Sequence, residues 1–393
     1  LAYLFTLIYI FTIPFENALL VEGIGSVSRA AGIPILALWV LLLVLKQQVR
    51  VFVPFFAFSL LFIIWCSFSL LWGQHPDIVT LFLFTYVQLF LASFFIWLTL
   101  NDKTRCIRAL QFYLIGAYVA AGFVIWNFYT NDLATQGDRS GIEGVDLNEL
   151  AMSISLALPI AWYLATRSRI GLSGVVMASA SYVFLPIGML AIMMTGSRGG
   201  FASVVPTALY IVVSLLYVGK GAKIVAGIAI AVSIVVVLQY VPEAQFQRIM
   251  TFSEEIETGN ISGRGDLWRA AVQIWLESPS NSIIGIGLGG FGMEVGMVAH
   301  NTYLSVLSET GLIGFIIYLL ILISLVVVGF RSQREVRYLL LTLLMVWGLG
   351  AAALTWEYAK LTWLVWCLIV CVAYVFQKHP RRSTRKRRRR RTA

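Results

Sequence analysis

Between Gly263 and Gly314 the polar and ionisable residues of an otherwise apolar chain gather in one run, GRGDLWRAAVQIWLESPSNSIIGIGLGGFGMEVGMVAHNTYLSVLSETGLIG. It reaches His300-Asn301 at the mouth of a long hydrophobic segment, and His300 is one of only three histidines in 393 residues. An imidazole titrates near neutrality and can take a proton from a hydroxyl. Arg264 opens the run, and Arg198 is the lone strong charge between two long apolar stretches, in MMTGSRGGFASVVP. An arginine at membrane level costs free energy unless it pairs with an anion or reaches the interface. Snorkelling is one reading of Arg198, and binding an anionic lipid headgroup is the one its position favours. His300 has its own alternative, an interfacial imidazole that caps its helix. Together these residues read as the reacting centre of an integral membrane enzyme.

Other polar residues have plainer readings beside the chemical ones. Arg139 lies among Asp132, Asp138, Glu143 and Asp146, and Asn148 and Glu149 open the next apolar segment. Asp146 or Asn148 can cap that helix within a solvated acidic loop; equally, Arg139 and Asn148 can line an outward-facing polar pocket. His75, before Pro76, reads as a turn residue. GIGLGGFG lacks the strand, helix and Walker lysine-serine pair of a nucleotide loop, so its glycines serve a fold-back of the chain below His300. Cys66, Cys106, Cys367 and Cys371 lie in or beside apolar segments and read as buried small hydrophobes. No paired aspartates suggest a divalent-metal clamp, so neither metal nor cofactor is expected.

The elements that position these residues follow from composition. Hydrophobic residues make up 59% and charged residues 12% of the chain, with mean hydropathy +0.85. No soluble fold of this size buries that much apolar surface, so lipid is the solvent for much of it. The expected architecture is all-α and polytopic, with twelve spans near 1–14, 30–46, 51–71, 78–100, 108–129, 147–165, 171–194, 200–218, 222–240, 302–330, 336–354 and 358–377. Residues 1–377 form one membrane domain, with a large outer loop at 241–299 between the ninth and tenth spans. Within it, Gly263–Glu277 places Leu267, Ala271, Ile274 and Trp275 on one face behind Arg264 and Asp266, an amphipathic helix expected on the membrane surface. The first apolar segment runs on without an A-x-A-like exit, so no cleavable leader is expected.

The net charge of +10 comes from the tail 378–393, which holds ten basic residues; residues 1–377 carry nineteen of each sign. Directly after a membrane segment, such a tail fits anionic phospholipid headgroups rather than nucleic acid. With the N-terminus inside, 22 basic residues fall on the inner side and 7 on the outer. Both termini are therefore expected in the cytoplasm, with the loop and His300 outside.

SRGG at 197–200, GRGDLW at 263–268, the P-x-N-x-x-x-GIG-x-G run and HNTYL-x-x-x-x-E-x-GLIG at 300–314 resemble the O-antigen ligase and polymerase superfamily. These bacterial inner-membrane enzymes handle undecaprenyl-diphosphate-linked glycans and are similar to other C-type glycosyltransferases built from membrane helices. The resemblance implies a periplasmic site in which His300 serves the acceptor hydroxyl, and Arg198 and Arg264, joined by Arg139, hold the donor diphosphate. Asn301 then orients the histidine or a sugar. Glu309, nine residues beyond His300, becomes a supporting partner rather than the immediate base, with Asn148 and Asp266 also in support. The implied reaction is metal-independent, inverting transfer of a preassembled glycan to lipid A-core. A polymerase acting on a second lipid-linked repeat is the alternative within the superfamily, followed by a protein O-oligosaccharyltransferase. A membrane transporter is the reading from another class, although no internal repeat is evident.

Overall fold

The computed structural model describes residues 2–16, 20–21, 25–26, 28, 32, 50–130, 146–166, 174–241, 243–250 and 264–377. The expected span 30–46 apart from Gly32, Arg139 with the acidic residues Asp132, Asp138 and Glu143, and the basic tail lie outside them. Among the described residues the regular structure is helical apart from two two-residue strands, Leu20–Val21 and Gly25–Ser26, paired antiparallel.

In order, the helices are α1 (Ala2–Thr12), α2 (Pro54–Ser67), α3 (Pro76–Thr99), α4 (Lys103–Thr130), α5 (Leu147–Thr166), α6 (Gly174–Met194), α7 (Arg198–Ala202), α8 (Val204–Leu215) and α9 (Lys220–Tyr240). Four short helices follow: α10 (Glu243–Met250), α11 (Gly265–Leu276), α12 (Pro279–Ile284) and α13 (Gly290–Val295). The chain then forms α14 (Thr302–Arg331), α15 (Arg334–Ala351) and α16 (Lys360–Val375). Proline starts α2, α3 and α12, where its missing N–H costs nothing.

Eight described helical segments are long and apolar enough to cross a bilayer: 54–71, 76–99, 103–130, 147–166, 174–194, 198–215, 220–240 and 302–331. Ala2–Phe15 and Lys360–Val375 are apolar but shorter. α15 carries Arg334, Glu335 and Arg337 in its first turn, which lowers its apolarity where a span was expected at 336–354.

α5 runs through the centre. It is buried along most of its length, and Ala151, Ser153, Ser155, Ala157 and Ala161 let neighbouring helices approach closely. α9 is the opposite case, with Ile224, Ile228, Ile234, Val235 and Leu238 exposed. An apolar helix that turns its side chains outward faces lipid.

The connections between long helices segregate to two ends of the bundle. At one end Arg50 donates to the carbonyls of Trp97 and Leu100 at 2.8 and 3.1 Å. Lys103 lies over the Phe376 ring, the Gln333 amide donates to Phe376 O at 3.0 Å, and Arg334 covers Tyr217. At the other end Lys360 pairs with Glu16 at 2.6 Å, Asn148 meets Ser197, and Arg264 reaches Ala353. The two sets match the alternation that the charge count predicts.

α14 is broken. Gly311 has φ 65° and ψ −172°, which separates a short upper piece from the lower rod. The break frees carbonyls that a membrane protein must satisfy internally. Ser308 O and Glu309 O accept from the amides of Ile286 and Gly287 at 3.1 and 2.9 Å, and Thr310 O accepts from Trp65 Nε1 at 2.9 Å. Gly285 and Gly311 face each other so closely that a Cβ on Gly311 would stand 2.4 Å from Ile283 O. The glycine run therefore does fold back towards the membrane helices, and it repairs a broken one.

Candidate active site

The site begins at the first turn of α5. Asp146 Oδ1 accepts from the backbone and side-chain nitrogens of Asn148 at 2.8 and 2.9 Å, which caps the helix. Asn148 Oδ1 accepts from Ser197 Oγ at 3.0 Å. Ser197 in turn caps α7 by accepting from Gly200 N at 3.2 Å. The amide of Asn148 thus joins two distant turns and fixes the one that carries Arg198. Gly200 is needed there, because a Cβ would lie 2.7 Å from that of Ala151.

The 352–359 connection between α15 and α16 links that turn to the outer region. A Cβ on Gly199 would come within 3.3 Å of Ala353 Cβ, and Arg264 Nη1 donates to Ala353 O at 2.5 Å. Arg264 stands at the N-cap position of α11, its charge partly desolvated, with Asp146 acting electrostatically in its favour.

His300 occupies the same neighbourhood. It is the only non-glycine with positive φ among the described residues, at 47°. Burial lowers its pKa from the usual value; the Arg264 cation lowers it further, and Asp146 opposes both. A lowered pKa favours the unprotonated imidazole, the form a general base requires.

The next residues hold the histidine in place. Asn301 Oδ1 accepts from the amides of Tyr303 and Leu304 at 3.0 and 3.2 Å. Its carbonyl oxygen is thereby committed to capping α14 rather than to orienting His300 or a sugar. Thr302 Oγ1 donates to Leu354 O and accepts from Trp356 N, both at 2.8 Å. Ser305 Oγ donates to Glu357 Oε1 at 2.6 Å, while Glu357 Oε2 is buried with no hydrogen-bond partner. Burial pushes the Glu357 carboxyl up to about 7, against the hydrogen bonds that favour its charged form.

Two expected supports have other partners. Glu309 Oε2 accepts from Gly289 N at 2.9 Å, tying the carboxylate to the glycine run. Asp266 pairs with Arg269 on the exposed side of α11. The predicted face of α11 is real, but it packs on protein: Ala271 and Ile274 join Phe291, Ala299 and Leu304. Val272 and Leu276 stay exposed on the same helix. His75 is exposed and precedes Pro76 at the start of α3, as a turn residue. All four cysteines are free and buried.

Sequence reasoning missed Glu357 and Lys360. Their signal was an acid and a base in LTWEYAKLTW, the only charges between Arg337 and the tail. Lys360 Nζ reaches Glu16, Ser26 and Ser28 at 2.6, 2.9 and 2.8 Å, which fastens the first connection to this end.

Among known protein families, residues 182–319 match the model described as O-antigen ligase. No curated protein matches the chain. The matched region contains Arg198, Arg264 and His300, and it supports the resemblance to the O-antigen ligase and polymerase superfamily.

Proposed function

We propose that this multi-pass membrane protein of O-antigen ligase type transfers a preassembled glycan from undecaprenyl diphosphate to a sugar hydroxyl of lipid A-core. The reaction is placed on the periplasmic face of the bacterial inner membrane. The carrying observation is that one connection, 352–359, holds both Arg264, through Ala353 O, and the turn that follows His300, through Thr302, Leu354 and Trp356. The 352–359 connection brings the Arg198 turn to the same end. The charge count supports the outward orientation.

In this reading His300 takes the proton as the acceptor oxygen bonds to the anomeric carbon. The bond from that carbon to the phosphate oxygen breaks with its electron pair, and the diphosphate leaves. Arg198 and Arg264 stabilise the charge that develops there, with Arg139 as a further donor. One displacement inverts the anomeric centre, and no protein nucleophile, metal or cofactor takes part.

The test uses purified full-length protein and a labelled lipid-linked glycan, offered lipid A-core, a second lipid-linked glycan, or a peptide. Labelled lipid A-core is the expected product. Elongated lipid-linked glycan would instead make the chain a polymerase, labelled peptide a protein oligosaccharyltransferase, and movement of intact donor without transfer a transporter.

A further inference from the structure

At the opposite end of the bundle from His300, a cavity of about 210 Å³ lies between α8 and α15. Tyr210, Ser214, Tyr217, Arg334, Glu335 and Tyr338 line it. Its floor is fixed: Ser214 Oγ accepts from Trp162 Nε1 at 2.5 Å and donates to Ile211 O at 2.8 Å. Arg334 and Glu335 stand exposed at the rim, and the guanidinium lies 3.8 Å from the centroid of the Tyr217 ring. Stacking holds the plane of the guanidinium while leaving its N–H edge available. Among the described residues no ion pair engages Arg334 or Glu335, and the hydroxyls of Tyr217 and Tyr338 have no protein partner.

A cation, an anion and two hydroxyls thus face one cavity at a membrane interface. On α8 and at its C-cap, Leu209, Val212 and Leu216 are exposed. A purely anionic headgroup would meet Arg334 but be repelled by Glu335. A quaternary ammonium would balance Glu335 without offering it an N–H donor. We propose that this cavity binds the headgroup of a membrane phospholipid carrying both a phosphate and a primary ammonium. The phosphate meets Arg334 and the tyrosine hydroxyls, and the ammonium meets Glu335. This site is independent of the transfer reaction.

The test is native mass spectrometry of the full, delipidated chain with phosphatidylethanolamine, phosphatidylglycerol or phosphatidylcholine added in equal amounts. One phosphatidylethanolamine should be retained about fivefold better than either competitor, as one partly exposed charge-assisted contact allows. Glu335→Gln should bring that preference over phosphatidylglycerol to within about twofold, and Arg334→Gln should lower retention of both phosphate lipids. Equal retention of the three lipids by the parent chain, or a preference that survives Glu335→Gln, overturns the proposal. Should either variant fail to run as a monodisperse, normally melting protein, Tyr338→Phe decides. It must lower phosphatidylethanolamine retention, and unchanged retention overturns the proposal.

Discussion

The hydroxyl of Ser305 donates at 2.6 Å to the carboxylate of Glu357, fifty-two residues later in the chain. This bond lies inside the protein and fastens the first turn of α14, directly after His300, to the connection that receives Arg264. Ser305→Ala would remove the hydroxyl that serves Oε1 of the buried Glu357 carboxyl, at a cost of about 1–3 kcal/mol. A lower melting temperature in detergent is the expected result, and an unchanged one would remove this bond from the account of stability.

The same carboxyl gives a pH dependence. Its folded pKa of about 7 lies above the ordinary 4.5, so between those values the folded state holds a proton that the unfolded state has lost. Its contribution to stability is full below the ordinary value and falls as pH rises towards 7. Glu357→Gln should flatten this fall relative to the parent. His300 acts with the opposite sign, because its folded pKa is lowered, but it is common to both proteins and cancels in the comparison. Parallel melting curves for parent and variant across that range would count against a raised Glu357.

For catalysis, His300→Ala should abolish transfer while leaving membrane abundance and donor binding in place. With the parent enzyme, kcat/KM should rise with pH around a midpoint below 6.5, the ordinary histidine value. Arg264→Gln removes a cation that depresses this pKa, so the midpoint should move upward. Burial, the larger cause, remains. A midpoint that stays put would separate Arg264 from the imidazole. Arg198→Ala and Arg264→Ala should also weaken donor use more than acceptor use, read from initial rates at limiting and saturating donor.

Asn301→Ala removes two hydrogen bonds from the start of α14 and should cost about 0.5–2 kcal/mol. Asn301→Asp keeps an acceptor in the same place and should recover most of the melting temperature. If Asn301→Ala melts normally yet loses transfer, the residue has a role in the site beyond capping.

Gly311→Ala places a Cβ 2.4 Å from Ile283 O at a backbone φ of 65°. With ψ at −172° this is a backbone region essentially confined to glycine, costing about 1–3 kcal/mol for another residue, and the neighbour is backbone that cannot turn aside. Little monodisperse protein is expected. Gly292→Ala, with nothing within 4 Å of its Cβ, is the matched control.

Hydropathy made the long helices legible, because a bilayer imposes length and apolarity together. Charge alternation grouped Arg198, Arg264 and His300 before any contact was known. The break at Gly311 was hidden, since GLIG inside an apolar run has the composition of an ordinary span. Periodicity found the face of α11 with Ala271 and Ile274 but could not say whether lipid or Phe291 covers it. Asn301 and Glu309 were legible as polar residues near His300. Their partners depend on backbone amides, at Tyr303, Leu304 and Gly289, which spacing from His300 does not specify. Glu357 escaped because it comes next to the site only when the α15–α16 connection folds over α14.

The interruption at Gly311 also separates two mechanical parts. The rod from 312 to 331 follows the bilayer, whereas the piece that begins at Thr302 is moored sideways to the 283–289 segment, to Gly348 of α15 and to the 352–359 connection. Tilting or thickness changes that displace the lower rod meet a joint before they reach His300. The end that carries His300 thus has its own moorings in the protein, apart from those of the rod.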